Sequence, residues 1–345
     1  MTGKRLVPVV ELDPGPVFAE IGARHSEALS RTEKSRCLAV LDMTVALWWS
    51  NMKRLRLAID QMAPVLGDIR ANLAEHREAI AWAKRQKADL LVFPELSLTG
   101  YLVRGMVAHV GMARDDPRLI RLAKEAGELG VIFGFVEKAP DGQLFNCAGY
   151  IKDGALRAVQ HKLFLPNYGM FDEKRFFASG QRIEPFDTPW GRMGLLICFD
   201  MLHPAVAYLH QQAGVCLLIT ISAAPARGVG PDGFMAGAEG FRIAQRANSR
   251  LLGLVTVYAN RVGTEEGMIY WGGSEVLDPF GQPLCSLPEY DAARAICEID
   301  LEAVERARTL FPHLKEGRPD FVLQEMWRLR MSSQRDAPRE PPGEV

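Results

Sequence analysis

The chain has 345 residues, 48% of them hydrophobic and 24% charged, with a formal net charge of -1 from 41 basic and 42 acidic side chains. That balance is typical of a globular protein with enough apolar material to build a core without disulfide or metal staples. It excludes a basic, aromatic-studded face for nucleic acid or anionic membrane, and no run approaches the roughly 18 apolar residues that a membrane helix needs.

Residues 1–51 do not share the periodicity of the remainder of the chain. They hold a helix-like stretch from Pro16 to Arg31 and an apolar segment, CLAVLDMTVALWW, broken by Asp42. The opening MTGKRLVPVVELDPGPVFAE has no apolar core of a secretory signal, so a cytoplasmic protein is expected. Two readings of these residues stay open: a mis-assigned start ahead of Met52, or an oligomerisation arm.

An alternating α/β pattern begins after Met52. LRLAIDQM (55–62) reads as a buried strand, and residues 69–86 as an amphipathic helix after the Gly67-Asp68 turn. DLLVFPEL (89–96) is a strand ending in Pro-Glu, 117–130 a helix closed by glycine, and VIFGFVEK (131–138) a strand. FNCAGYIK and ALRAVQHK flank Asp153-Gly154 as a hairpin. GRMGLLICFD (191–200) is a strand, followed by helix PAVAYLHQQAG and strand VCLLITIS. A helix over 237–250 precedes a strand over 251–260, and a last hairpin turns at Pro279-Phe280-Gly281. The Arg-, Pro- and Glu-rich tail, 331–345, is expected to be disordered. Helical crossovers mixed with hairpins suggest two mixed sheets covered by helices.

The six cysteines are scattered without a CxxC pair, which argues against a zinc site or a disulfide framework. Three polar residues stand at the ends of apolar strands, where α/β folds place active groups: Glu95 closes DLLVFPEL, Lys162 follows ALRAVQH, and Cys198 closes GRMGLLIC. Taken singly each has a bland reading, as a solvated loop carboxylate, a surface lysine and a buried small hydrophobe. Together they supply what amide hydrolysis through an acyl-enzyme requires: a base, positive charge for the developing oxyanion, and a nucleophile. The backbone N–H of Phe199 is a second oxyanion donor in this reading.

Glu137, Asp172, His161, His203, Trp271 and the Gly272-Gly273 pair read as structural. Glu137 is a hydrogen-bonded strand carboxylate, the histidines pack beside the key residues, and the glycines permit close backbone approach.

The blocks GDIRANL…ADLLVFPELSLTGY, HKLFLPNYGMFDEKRFFASG and GLLICFDMLHPAVAYLHQQAGVCLLITISAAP resemble, in order, the Glu, Lys and Cys blocks of the nitrilase (carbon–nitrogen hydrolase) superfamily. ANRVGTEEGMIYWGGSEVLDPFGQPL and EIDLEAVERARTLFPHLKEGRPDF resemble its closing segments, so the likeness covers about 53–330 and delimits a hydrolase domain over 52–330. The resemblance implies a four-layer αββα sandwich, Glu95 as base, Lys162 as oxyanion stabiliser, Cys198 as nucleophile, and Glu173 as a second glutamate aligning lysine and substrate. The lysine block is similar to the glutaminase domains of glutamine-dependent NAD synthetases, which adds Tyr168 to the pocket, with Ser222 on the same wall. No ATP-binding P-loop is found in the chain, and the synthetase half is expected to be missing. Leu202 stands where many members carry arginine, and Phe199 where the glutaminase branch has an acidic residue, which weakens glutamine as the substrate.

The expected function is therefore hydrolysis of a small linear amide or carbamoyl compound through a thioester, with release of ammonia or amine. Alternatives are a nitrilase acting on C≡N, an N-acyltransferase using the same thioester, and a non-catalytic scaffold. No cofactor or metal is expected, nor any nucleic-acid or membrane partner; a homodimer or higher homo-oligomer is implied by the resemblance.

Overall fold

The computed structural model describes residues 54–226 and 236–335, so residues 1–51 lie outside the described residues. Two six-stranded sheets form its centre. The first contains β1 (Arg54–Gln61), β2 (Leu90–Val92), β3 (Gly130–Lys138), β4 (Leu144–Lys152), β5 (Ala155–His161) and β14 (Ala293–Asp300), in the order β14-β1-β2-β3-β4-β5. The second contains β6 (Phe186–Thr188), β7 (Gly191–Ile197), β8 (Leu217–Ser222), β9 (Val255–Asn260), β12 (Glu275–Leu277) and β13 (Pro283–Ser286), in the order β13-β12-β9-β8-β7-β6. Each sheet is mixed: β1, β2 and β3 run parallel, as do β7, β8 and β9, with antiparallel strands at both edges. A separate hairpin pairs β10 (Val262–Glu265) with β11 (Met268–Trp271).

The central strands read as near-continuous apolar runs because both their faces are covered. Leu57, Ile59, Leu195 and Ile219 meet between the sheets in the largest core cluster. Ala58, Leu91 and Val131 face the other way, against α1 (Ile69–Arg85) and α3 (Pro117–Ala126). Side chains of α4 (Pro204–Gln212) and α5 (Ala236–Leu252), such as Val206 and Phe241, cover the second sheet. Full burial of each large aliphatic side chain contributes about 1.5–3 kcal/mol, enough to fix which face of each strand turns inward. The result is the αββα sandwich expected from the sequence, with no closed barrel. The shorter helices are α2 (Val107–Val110), α6 (Glu302–Leu310) and α7 (Pro312–Lys315). Among the described residues, no helix is long and apolar enough to cross a membrane.

Helix starts follow local chemistry. Asp68 caps α1 by accepting the Ala71 N–H at 2.9 Å, and Asp116 caps α3 ahead of Pro117 at its first turn. Helix α3 ends at Ala126, with Gly127 at φ 59, four residues before the glycine that sequence analysis took as its end. Helix α5 runs on to Leu252, shortening the strand expected over 251–260 to Val255–Asn260. The last helix, α8 (Pro319–Arg335), continues through 331–335, which sequence analysis assigned to a disordered tail. Residues 336–345 lie outside the described residues.

Candidate active site

Strand β2 stops at Val92, short of the strand predicted over 89–96, because the chain turns at Pro94-Glu95 and Leu96 takes a left-handed φ of 47. The turn lies directly over β3, where a Cβ added at Gly134 would sit 2.1 Å from the Leu96 nitrogen. Only glycine allows that approach. Glu95 is thereby fully buried, yet both its oxygens are satisfied. Oε1 accepts from Asn146 Nδ2 and from Lys162 Nζ, each at 2.7 Å, and Oε2 accepts the Ala223 N–H at 2.7 Å.

Lys162 follows β5 and is anchored by its own N–H to the Asn146 carbonyl at 2.8 Å. Its buried ammonium also donates to Glu173 Oε1 at 2.6 Å. Burial works against a lysine's charge, but Glu173 and Glu95 outweigh it and hold Lys162 above its usual range. Glu173 opens a short 3₁₀ turn, Glu173–Arg175, and accepts the Tyr101 hydroxyl at 2.5 Å. Its second oxygen, Oε2, is buried without a hydrogen-bond partner. Burial pushes the Glu173 carboxyl up to about 7; Lys162 pulls it down, and Glu95 pushes it up again.

Strand β7 ends at Ile197, not at Asp200 as the sequence suggested, and Cys198 itself turns the chain with a φ of 50. A non-glycine residue held there costs about 1–3 kcal/mol, and such strain gathers at functional sites. The turn is bolted by Asp200, whose carboxylate accepts the N–H groups of Ile197 at 3.2 Å, Leu163 at 3.1 Å and Phe164 at 2.8 Å. One side chain thus joins the cysteine turn to the lysine loop. Burial pushes Asp200 up to about 6 even with those donors. The buried Cys198 thiol is pushed well above its ordinary value by burial and then by Glu95, while Lys162 and a hydrogen bond with Ser222 act the other way. At rest it is a thiol, not a thiolate.

Ser222 ends β8 in the second sheet, its Oγ accepting from the Tyr258 hydroxyl at 3.2 Å. The fold therefore gathers Glu95, Lys162, Glu173, Cys198 and Ser222 into one buried cluster. Tyr168 stands at its solvent edge, 48% exposed, with its ring 5.7 Å from that of Phe199 and 5.5 Å from that of Phe171. A cavity of about 260 Å³ opens beside Glu173, walled by the apolar side chains of Tyr101, Leu102 and Phe171 and by the charged Arg104, Asp172 and Arg175.

The residues read as structural have packed or paired surroundings. Glu137 is held by Arg114 at 2.6 Å and by His161 at 2.8 Å, and its carboxyl falls to about 2, those partners overcoming the effect of burial. Among the described residues, Glu137, Cys147 and His161 bring potential metal-ligand atoms within 4.8 Å of one another; the cation at that carboxylate is the arginine. Asp172 pairs with Arg175 at 3.7 Å on the surface. His203 stacks on Phe164 at 3.7 Å, and Trp271 on Tyr258 at 5.8 Å. A Cβ at Gly273 would strike the Trp271 ring at 2.0 Å, so the glycine pair serves close packing.

Five supporting residues escaped the sequence. Asn146 and Asp200 hold Glu95 and the cysteine turn. Glu265 accepts the N–H groups of Tyr101 and Leu102 at 3.1 and 2.9 Å and forms a buried pair with Arg261, whose guanidinium lies 4.1 Å from the Tyr270 ring centre. Tyr101 lies in the first resembling block, six residues after Glu95, and was readable only as part of it.

Residues 56–309 match the carbon–nitrogen hydrolase family. The chain belongs to that family. This carbon–nitrogen hydrolase is 31% identical over 270 residues to a glutamine-dependent NAD(+) synthetase of Thermotoga maritima, covering 76% of this chain and 45% of that protein. It is 29% identical over 268 residues to an (R)-stereoselective amidase of a Pseudomonas species, covering 76% and 92%. Its fold superposes on a carbon–nitrogen hydrolase of Helicobacter pylori G27 with a TM-score of 0.72 and 25% identity, covering 79% and 98%. The chain spans about half the length of the NAD synthetases it matches.

Proposed function

We propose that this carbon–nitrogen hydrolase cleaves a small linear amide or carbamoyl compound through a thioester on Cys198, releasing ammonia or an amine. The double clamp on Lys162 carries the reading. An ammonium fixed between Glu95 and Glu173 stays charged, so it serves as an electrophile and leaves the base's role to a carboxylate. Glu95 takes the Cys198 proton as sulfur attacks the carbonyl carbon. The oxyanion forms between Lys162 and the Phe199 N–H. Collapse breaks the C–N bond, and the departing nitrogen takes the proton from Glu95. Water, deprotonated by Glu95, then attacks the thioester, and the sulfur leaves as it regains a proton. The unpartnered Oε2 of Glu173 supports a role as acceptor for an N–H of the substrate amide, beside a cavity whose wall mixes apolar side chains with Arg104, Asp172 and Arg175.

The named relatives favour amides: one is an amidase, and the other a glutamine-dependent enzyme. The test is ammonia release from a panel of aliphatic amides, carbamoyl compounds, glutamine and nitriles, with intact-mass spectra of the quenched enzyme. Amide turnover with an acyl mass on Cys198, lost in Cys198→Ala, is expected. Turnover of nitriles alone, or undiminished turnover in Cys198→Ala, sinks the proposal.

A further inference from the structure

No spacing in the sequence announces a metal site, yet three neighbouring strands bring metal-ligand chemistry to one point. Glu137 on β3, Cys147 on β4 and His161 on β5 share a face of the first sheet. Cys147 stands directly opposite His161, and Glu137 opposite Phe145, two residues before Cys147. Glu137 and Cys147 are buried and His161 is partly buried. Thiolate, imidazole and carboxylate are the donors that zinc takes. Zinc bonds of about 2.0–2.3 Å at tetrahedral angles set the ligand atoms about 3.3–3.6 Å apart. Cys147 Sγ already lies 3.6 Å from Glu137 Oε2, while His161 Nε2 lies 2.8 Å from the same oxygen. The imidazole therefore has to open by about 0.5 Å. Phe145 stacks on that ring at 4.0 Å and holds its plane.

A cation already sits over these groups. Arg114 donates from Nε to Glu137 Oε1 at 2.6 Å and from Nη2 to Oε2 at 3.2 Å, with Nη2 3.4 Å from His161 Nε2. Its side chain is 54% exposed. Together with His161 it lines a cavity of about 420 Å³ that also includes Arg157, Arg182 and Glu184, which supplies a way in for an ion and a way out for the guanidinium.

We propose that Glu137, Cys147 and His161 form a binding site for zinc or a similar divalent transition metal, which displaces Arg114 and keeps a water as its fourth ligand. The exchange balances in charge. Cys147 gives its thiol proton to solvent and the guanidinium swings into the cavity, so two positive charges leave as two arrive. Thiol, carboxylate and arginine sum to zero before the exchange; thiolate, carboxylate and zinc sum to zero after it. The imidazole stays neutral, binding through Nε2 with its proton on Nδ1. The bound metal would clasp β3, β4 and β5 together at the residue next to Lys162.

The experiment titrates chelator-treated, reduced full-length protein with Co²⁺, a coloured probe for a zinc site, and follows the absorption spectrum. Saturation at one equivalent is expected, with a thiolate-to-cobalt charge-transfer band, bleaching by Zn²⁺ and a rise in Tm. Cys198→Ala should keep the band, which separates this site from the proposed nucleophile. Cys147→Ser and His161→Gln, each checked for folding by circular dichroism, should weaken binding by at least about 100-fold. Arg114→Gln should tighten it by about tenfold, because no guanidinium competes for Glu137. No charge-transfer band in the wild type, or a band that survives in Cys147→Ser and is lost in Cys198→Ala, overturns the proposal.

Discussion

Gly134→Ala tests whether the fold itself holds the base. The new methyl would stand 2.1 Å from the Leu96 nitrogen and 2.7 Å from the Glu95 carbonyl carbon, both backbone atoms. Ordinary contact needs about 3.5 Å, so the Glu95 turn must retreat by more than about 1 Å. It cannot do so freely. Phe93 N–H is bonded to Ile132 O at 2.8 Å, Leu98 N–H to Gly134 O at 3.0 Å, and Gly134 N–H to Ser97 Oγ at 3.1 Å, so each flank of the turn is tied to β3. Overpacking of this kind costs about 1–3 kcal/mol, and a misplacement of about 1 Å in a reacting group costs about 100-fold in rate. The variant is therefore expected to fold, with a lowered urea midpoint, and to lose about 100-fold in kcat/KM per folded molecule. Ammonia release normalised to the folded fraction from near-ultraviolet circular dichroism measures this. Gly240→Ala on α5, where a Cβ meets nothing within 4 Å, is the control and should leave turnover unchanged while adding about 0.5–1 kcal/mol of stability. Wild-type turnover in Gly134→Ala would refute the claim that this crossing positions Glu95.

Three further outcomes are expected. Tyr101→Phe removes the hydroxyl bonded to Glu173 while keeping the ring, and should lower kcat about tenfold. That hydroxyl holds the Glu173 carboxyl down, so the acid limb of the rate profile, expected near pH 7 from that carboxyl, should move to higher pH; an unmoved limb rejects the link. Lys162→Met leaves Glu95 and Glu173 buried without their cation and should cost about 3–5 kcal/mol near neutral pH. The deficit should shrink in acid as the carboxyls take up protons, and a pH-independent deficit in urea melts counts against the charge argument. Buried His76 is lowered by burial from 6.5 to about 4, so it stays neutral in the fold while the unfolded chain protonates. Its stability contribution is present above pH 6.5 and lost as pH falls through about 4, a change of about 3 kcal/mol. His76→Gln should flatten that part of the stability profile, and equal slopes in the two proteins would contradict it.

Glu95, Lys162 and Cys198 were legible as candidates because each breaks an apolar run at its end, a pattern local in sequence. How they are held was not. Asn146 sits in β4 51 residues from Glu95, and Asp200 reaches Leu163 across 37; polar residues at such places look like ordinary alternation or a solvated turn until the two sheets are packed. The strand ends were also overdrawn. Hydrophobicity continues through Phe93 and Cys198, but Pro94 has no N–H for the ladder, and the Glu95 N–H turns instead to Ser222 O of the other sheet at 3.4 Å. The hairpin β10–β11 was missed for a related reason. Its strands are four residues each, and Glu265 at the end of β10 pairs in the interior with Arg261, the residue just before that strand, a charge pair that composition alone reads as surface.

The charges in the site limit how the reaction starts. Lys162 faces two carboxylates, so a thiolate made by losing a proton to water would add another negative charge in a buried cluster. That explains why Glu95 and burial both oppose ionisation of Cys198, with Lys162 only partly compensating. Passing the proton from sulfur to Glu95 leaves the net charge of the cluster unchanged and avoids that cost. The proposed nucleophile is therefore made on demand, when a carbonyl is present to take the electron pair, unlike a standing thiolate–imidazolium pair. In the empty enzyme Cys198 should be alkylated by iodoacetamide more slowly at neutral pH than a free thiol. Faster alkylation than glutathione would mean that a stored thiolate, and a different proton acceptor, must be sought.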